Sequence, residues 1–243
     1  MSTRTFESVS SVALAHRPTN DAYGELEQAF AHFNEDLFVV QFGARLPNVM
    51  LTMPRSRRYY GYFAPMWWSS KTTQDVKASE IALNPDFDRT TEEFLSTLVH
   101  EMAHHAQAEL PEIYGKPGQR GYHNKAFAAL METLGLMTSD TGKPGGKRTG
   151  TRMTHYIIEG GAFSRSYERL AATGFQLSWT SSIVRPNTNE PNPGERDRDL
   201  KRRSKTKYHC AGCGLNAWAK PKVRIVCGGC RALLLPVGRG GIR

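Results

Sequence analysis

The chain of 243 residues is long enough for one substantial core and a small appended module. Its composition, 39% hydrophobic and 23% charged, is globular and excludes disordered and fibrous proteins. No apolar stretch reaches the ~18–20 residues that span a bilayer, and the apolar run at 12–15 is too short for a signal-peptide core. We therefore expect a cytoplasmic protein with no membrane partner.

The net charge of +9 is concentrated at the C-terminal end of the chain. From Arg185 onward there are 14 basic and 4 acidic residues, whereas the first 184 residues hold 18 basic and 19 acidic ones. A local excess of this kind favours a polyanionic partner, because binding to phosphates releases condensed counterions. The alternative is a solvated tail that only keeps the protein in solution, and charge alone does not separate the two.

Apolar spacing and turn residues predict mixed α and β elements. In chain order these are a helix over 21–37, β-strands over 48–53, 59–68 and 79–83, helices over 90–110 and 124–134, a strand over 153–158, a helix over 164–172 and a strand over 175–179. We divide the chain into a flexible N-terminus (1–17), an α+β domain (18–184), a basic linker (185–207), a small module (208–236) and a tail (237–243).

The helix predicted from Thr90 contains an HExxH motif at 100–104. Residues four apart on a helix lie one turn above another, so His100 and His104 can present nitrogens to one metal ion. Glu101 beside them can act as a base on water. His105 lies about 100° away around the helix, and we expect it at the surface or behind the ligands, not on the metal.

A hydrolytic zinc ion needs a third protein ligand and an open position for water. His123 and His155 are the candidates downstream of the motif. We favour His123, because the preceding Gly- and Pro-rich loop lets the next helix fold back against the HExxH helix. His155 and Tyr156 remain candidates for donors to a developing oxyanion, or for ordinary core residues.

Two CxxC pairs near the C-terminus predict a second metal site. Cys210 and Cys213 are separated by thirteen residues from Cys227 and Cys230, which is the spacing of a zinc ribbon. In a reducing compartment four such cysteines predict a structural zinc ion, whereas two disulfides or redox pairs are the alternative.

Basic side chains surround an aromatic residue in this module, a combination typical of nucleic-acid binding without base-specific reading. Trp218 can stack on a base or can instead fill the small core of the ribbon. Trp67 and Trp68 in the second predicted strand can likewise contact substrate or single-stranded DNA, although burial in the α+β domain is the expectation. The candidate nucleic-acid-binding residues are Lys201, Arg202, Arg203, Lys205, Lys207, Trp218, Lys220, Lys222 and Arg224.

The sequence resembles the SprT-like zinc metallopeptidase family, to which the Spartan proteases of DNA–protein crosslink repair belong. The resemblance covers about 23–136 and returns at the C-terminal cysteines; it is carried by FNEDLF at 33–38, LPNV at 46–49, LVHEMAHHAQ at 98–107 and GYHNKAF at 121–127. It implies a zincin-like fold, in which a small sheet packs on the HExxH helix and its neighbours.

The resemblance also implies a function. Zinc would be held by His100, His104 and His123, with Glu101 as the catalytic base, and a second, structural zinc by the four cysteines. The substrates would be proteins bound or crosslinked to DNA, with the DNA single-stranded or recognised without sequence specificity, near the nucleoid if the host is a prokaryote. The alternative function is a DNA-binding or regulatory zinc protein with little or no proteolytic activity.

Overall fold

The computed structural model describes residues 17–56, 58–182 and 206–237, which belong to two compact units divided between positions 191 and 192. The first unit carries the histidine cluster and the second carries the four cysteines. The first unit combines helices with short strands, and the second has short strands alone in its described part, so the chain is of mixed α and β structure. Across these ranges, no helix combines the length and apolarity needed to cross a membrane. Most of the predicted N-terminal segment, linker and tail lies outside the described residues.

The first helix is longer than its apolar pattern predicts. Helix α1 (Pro18–Phe33) has proline in its first turn and continues through a π-helical segment (Asn34–Val39) into a last turn, α2 (Val40–Phe42). The buried Asn34 side chain donates to the Leu46 carbonyl and accepts from the Leu46 backbone N–H, both at 2.9 Å. This pair of bonds ties the π-helical segment to the chain that enters the sheet.

A three-stranded sheet follows, in the order β1–β3–β2. Strand β1 (Met50–Thr52) is parallel to β3 (Lys77–Leu83), whereas β2 (Gly61–Ser69) is antiparallel to β3 and forms one edge. The pairing of β2 is irregular between Ala64 and Trp68, where the strand bulges. Among the described residues β1 and β2 are therefore the two edge strands, and β3 lies between them.

Helix α3 (Thr91–Glu109) packs against β2 and β3 and forms the centre of the core. It begins in the expected capping box: Thr90 Oγ1 accepts from the Glu93 backbone N–H at 3.1 Å, and the Glu93 carboxylate accepts from the Thr90 N–H at 2.8 Å. Its buried apolar residues are Leu95, Leu98, Val99, Met102, Ala103 and Ala106.

The rest of the first unit covers one end of α3. A short helix, α4 (Pro111–Tyr114), precedes α5 (Lys125–Thr133), and a hairpin of β4 (Leu136–Ser139) with β5 (Thr154–Ile157) leads to α6 (Ala162–Ala172). Helix α4 and strand β4 were not predicted, because each is too short to show a clear period in the sequence.

Two expectations for this unit are wrong. The segment 175–179 forms no strand, although it has the residues of one. Trp67 and Trp68 are not buried: their exposed fractions are 69% and 42%, because β2 lies at the sheet edge and bulges beside them. The Trp68 indole N–H donates to Glu80 at 3.2 Å, which holds this ring while part of it stays in solvent.

The second unit is a three-stranded antiparallel sheet in the order β7–β6–β8. Its strands are β6 (Thr206–His209), β7 (Asn216–Ala219) and β8 (Leu235–Pro236). The buried residues are few, so the sheet packs on the cysteines instead of a large apolar core. They are Tyr208, Cys210, Cys227 and Leu234.

Candidate metal centres

The histidine centre is built on the middle of α3. His100 and Glu101 are buried there and His104 is half-buried, one helical turn after His100. A buried helix with a fixed N-terminus holds these side chains in place, because the capping box and the packed apolar face leave the helix little freedom to move.

His123 joins this pair from the loop before α5. Its backbone forms an isolated antiparallel bridge with Gly150, with N–H···O distances of 2.8 and 3.1 Å, and its Nδ1 lies 3.3 Å from the Gly150 carbonyl oxygen. The opposite ring nitrogen, Nε2, therefore faces α3. It lies 3.2 Å from His100 Nε2 and 3.0 Å from His104 Nε2.

These distances fit a single metal ion. Two nitrogens bound to a tetrahedral ion at 2.0–2.1 Å stand about 3.3–3.4 Å apart. His100, His104 and His123 each offer a ligand atom, and the three atoms lie within 4.8 Å of one another. Burial lowers the pKa of His104 to about 3 and the pKa of His100 well below its usual value, with the neighbouring histidines adding to both shifts. The rings are therefore neutral, which is the form that binds metal.

Phe127 of α5 closes the apolar side of this cluster. Its ring stacks on His104 with centroids 4.1 Å apart and meets His100 and His123 edge-on at 5.2 and 4.8 Å. The sequence predicted Phe127 only as a core residue, because its position on the inward face of a helix carries no sign of the histidines it would meet.

The Glu101 side chain extends from α3 to the first residue of β2, Gly61. A Cβ atom on Gly61 would stand 3.2 Å from Glu101 Oε1, 2.8 Å from Thr97 Cγ2 and 2.9 Å from the Ala82 carbonyl oxygen. Strand β2 therefore approaches α3 so closely that only glycine fits at position 61. Burial raises the pKa of Glu101 to about 8, and a cation on the three histidines would favour the ionised form again.

His155 does not belong to the converging group. It lies behind His100, with the two Nδ1 atoms 3.1 Å apart, and its Nε2 lies 2.9 Å from Ser96 Oγ. Both ring nitrogens thus have partners on the side away from His123, so the structure supports neither a third ligand nor an oxyanion donor at this position. His105 is also buried, not at the surface, and its Nε2 lies 2.9 Å from the Pro47 carbonyl oxygen.

The cysteine centre lies in the second unit. The sulfur atoms of Cys210, Cys213, Cys227 and Cys230 lie within 4.8 Å of one another, and all four cysteines are free. The alternative of disulfides is therefore not what the structure shows. Cys213 Sγ and Cys227 Sγ are 3.6 Å apart, close to the about 3.8 Å expected for two sulfurs on a tetrahedral ion. This cluster can hold a metal ion and is consistent with a zinc ribbon.

The two cysteine turns have the same backbone geometry. The N–H of Gly214 donates to the Cys210 carbonyl at 2.9 Å, and the N–H of Arg231 donates to the Cys227 carbonyl at 2.8 Å. Hydrogen bonds from the backbone of Cys230 and from the Cys213 thiol lower the pKa of Cys227 to about 7, whereas contact with the other thiols raises the pKa of Cys230 to about 12. A cation held by the four sulfurs would favour the thiolate form of each cysteine.

Trp218 is exposed on one face of the ribbon and does not fill its core. Its exposed fraction is 63%, and Lys207, its partner across β6 and β7, places Nζ 5.9 Å from the ring centroid. Of the other candidate nucleic-acid-binding residues, Lys220, Lys222 and Arg224 are exposed in the same unit. Lys201, Arg202, Arg203 and Lys205 lie outside the described residues.

Comparison with family models, curated proteins and solved structures finds no match to this chain.

Proposed function

We propose that this chain is a zinc-dependent metallopeptidase of the SprT-like kind, with a zincin-like catalytic unit, which hydrolyses peptide bonds in proteins bound or crosslinked to DNA. The observation that carries the proposal is the convergence of the Nε2 atoms of His100, His104 and His123, two of them on the helix that also carries the buried Glu101. Three neutral imidazoles and a separate carboxylate are the donor set of a hydrolytic zinc site with a position left for water.

The chain's own residues supply the remaining steps. Zinc, when held by the three histidines, would supply Lewis acidity to the water and to the peptide carbonyl. Glu101 accepts the proton of the attacking water at its carboxylate and passes it to the nitrogen of the leaving amine. Strand β2 begins at Gly61, against Glu101, and is an edge strand of the sheet among the described residues, so an extended polypeptide paired with β2 would run past this carboxylate.

The second unit supports a nucleic-acid partner. Residues 206–237 contain five basic residues and no acidic residue. The exposed Trp218 beside Lys207 provides a surface on which a base can stack next to a cation that can meet the phosphate. The absence of a recognition helix from residues 206–237 favours binding to single strands or to DNA of any sequence.

The test is cleavage of a DNA-binding protein by the zinc-loaded full chain, with and without single-stranded DNA, beside the Glu101→Gln variant. We expect cleavage to require both zinc and Glu101, and we expect DNA to increase its rate. Equal cleavage by zinc-loaded Glu101→Gln would refute the assigned base. DNA binding without any cleavage by the unaltered protein would favour the alternative, a DNA-binding or regulatory zinc protein.

A further inference from the structure

A chain of hydrogen bonds runs from His100 into the interior, on the side opposite His123. His100 Nδ1 lies 3.1 Å from His155 Nδ1, His155 Nε2 lies 2.9 Å from Ser96 Oγ, and that hydroxyl donates to the Glu93 carbonyl at 2.8 Å. Ser96 lies one helical turn before His100, and β5 brings His155 between them.

The contacts are all satisfied by one placement of the hydrogens. Because the Ser96 hydroxyl hydrogen points to the Glu93 carbonyl, Ser96 Oγ accepts a hydrogen from His155 Nε2. The other nitrogen of a neutral His155 ring then has no hydrogen, so His155 Nδ1 accepts from His100 Nδ1. His100 Nε2 is left with its lone pair facing His123. The opposite assignment would break the bond from Ser96 to Glu93 and would put a hydrogen on the nitrogen that faces the other histidines.

We propose that His155, supported by Ser96, is a positioning residue that holds metal ligand His100 in its binding tautomer and orientation. A ligand histidine commonly donates its second N–H to a carboxylate, a carbonyl or a water. In this site the acceptor for His100 is the neutral imidazole of His155, and the acceptor for His123 is the Gly150 carbonyl. Neutral acceptors add no negative charge behind the ligands, so a bound cation would keep more of its own charge.

This inference rests on the metal-binding part of the proposed function but not on proteolysis. It predicts that metal affinity at the histidine centre depends on an acceptor at the position of His155 Nδ1. Asparagine places Oδ1 near that position, whereas leucine fills similar space and accepts nothing. His155→Asn and His155→Leu are therefore a matched pair. Ser96→Ala leaves the bond between His100 and His155 in place and removes the two bonds of the Ser96 hydroxyl, to His155 and to the Glu93 carbonyl.

The experiment equilibrates the full chain with zinc and a graded series of a competing chelator, and measures zinc per chain. The cysteine centre serves as the internal reference in every variant. We expect His155→Leu to lose the histidine-centre zinc at about 10–100-fold lower chelator concentration than the unaltered protein. His155→Asn should stay within about threefold, and Ser96→Ala should fall between, about threefold to tenfold weaker. Cobalt loading adds a spectroscopic signature: the ligand-field bands should shift in His155→Leu and not in His155→Asn.

The outcomes separate the two proposals. Equal affinity in His155→Leu and the unaltered protein would overturn the inference, and so would an asparagine variant as weak as the leucine variant. If His155→Leu fails to fold when metal-free, as judged by circular dichroism, the zinc affinities of the other two variants decide. His155→Asn should then bind zinc more tightly than Ser96→Ala, and the reverse order would overturn the inference. A protein that holds only the cysteine-centre zinc contradicts both proposals. Expected affinities without any protein cleavage would leave the inference standing and refute only the peptidase.

Discussion

The contact between Gly61 and Glu101 leads to a prediction that tests the geometry of the site. In Gly61→Ala the new methyl group would stand 2.8 Å from Thr97 Cγ2 and 2.9 Å from the Ala82 carbonyl oxygen. The carbonyl belongs to the neighbouring strand and cannot rotate away, so β2 must move from α3 or the Glu101 side chain, 3.2 Å away, must turn.

The expected loss of stability follows from this crowding. Overpacking by one methyl group in a tight interior destabilises by about 1–3 kcal/mol. For a unit of this size, a change of 1 kcal/mol shifts the melting temperature by about 2–4 °C, so Gly61→Ala should melt roughly 2–12 °C lower. A displacement of the carboxylate by about 1 Å would reduce the rate of peptide cleavage by up to about 100-fold.

Gly24→Ala provides the matched control. Gly24 is exposed in α1 and has nothing within 4 Å of a Cβ atom, so alanine there should stabilise the helix by about 0.5–1 kcal/mol without altering cleavage. Thermal melts of the metal-free proteins and cleavage rates of the zinc-loaded proteins measure both effects. If Gly61→Ala melted at or above the unaltered protein and cut at the same rate, the close approach of β2 to Glu101 would be wrong.

Three further predictions follow from the two units. His123→Ala should reduce the zinc content from two ions to one per chain, measured by metal analysis; two tightly held ions would remove His123 from the ligand set. Trp218→Ala should weaken single-stranded DNA binding by about 1–3 kcal/mol in fluorescence anisotropy at fixed salt, whereas Val40→Ala, an exposed apolar residue of the first unit, should not; equal losses would contradict a stacking role. Thr90→Ala should lower the free energy of unfolding by about 1 kcal/mol in urea, because the Glu93 N–H loses its acceptor; an unchanged midpoint would mean that the capping box contributes nothing.

Local patterns predicted the features that depend on near neighbours in the chain. The capping box at Thr90 and the spacing of His100 and His104 act within one or two helical turns, and the structure has both on α3. The CxxC pairs are equally local, because each turn closes through a bond between residues four apart. Segment 175–179 has strand-forming residues, but a strand depends on a distant partner: in the described part of the chain this segment meets α1 instead, where the Ser178 N–H donates to Glu25 at 2.8 Å.

The partners of these local features were decided by the tertiary structure. The sequence offers both His123 and His155 and favours His123 only through the loop before it; the contacts that separate them are tertiary. The bridge to Gly150 turns His123 towards α3, and the β4–β5 hairpin places His155 behind His100. Trp218 is exposed because Tyr208, Leu234 and two of the cysteines already fill the small core of the ribbon.

The sequence by itself therefore determined which residue types can bind metal and which helix and turns carry them, since those depend on spacings of a few residues. The tertiary structure decided which histidine completes the group, which one stands behind it, and how closely β2 approaches Glu101. These outcomes depend on contacts between residues 27 to 55 positions apart, or between separate strands, where a shift of one residue would point the side chain to the other face.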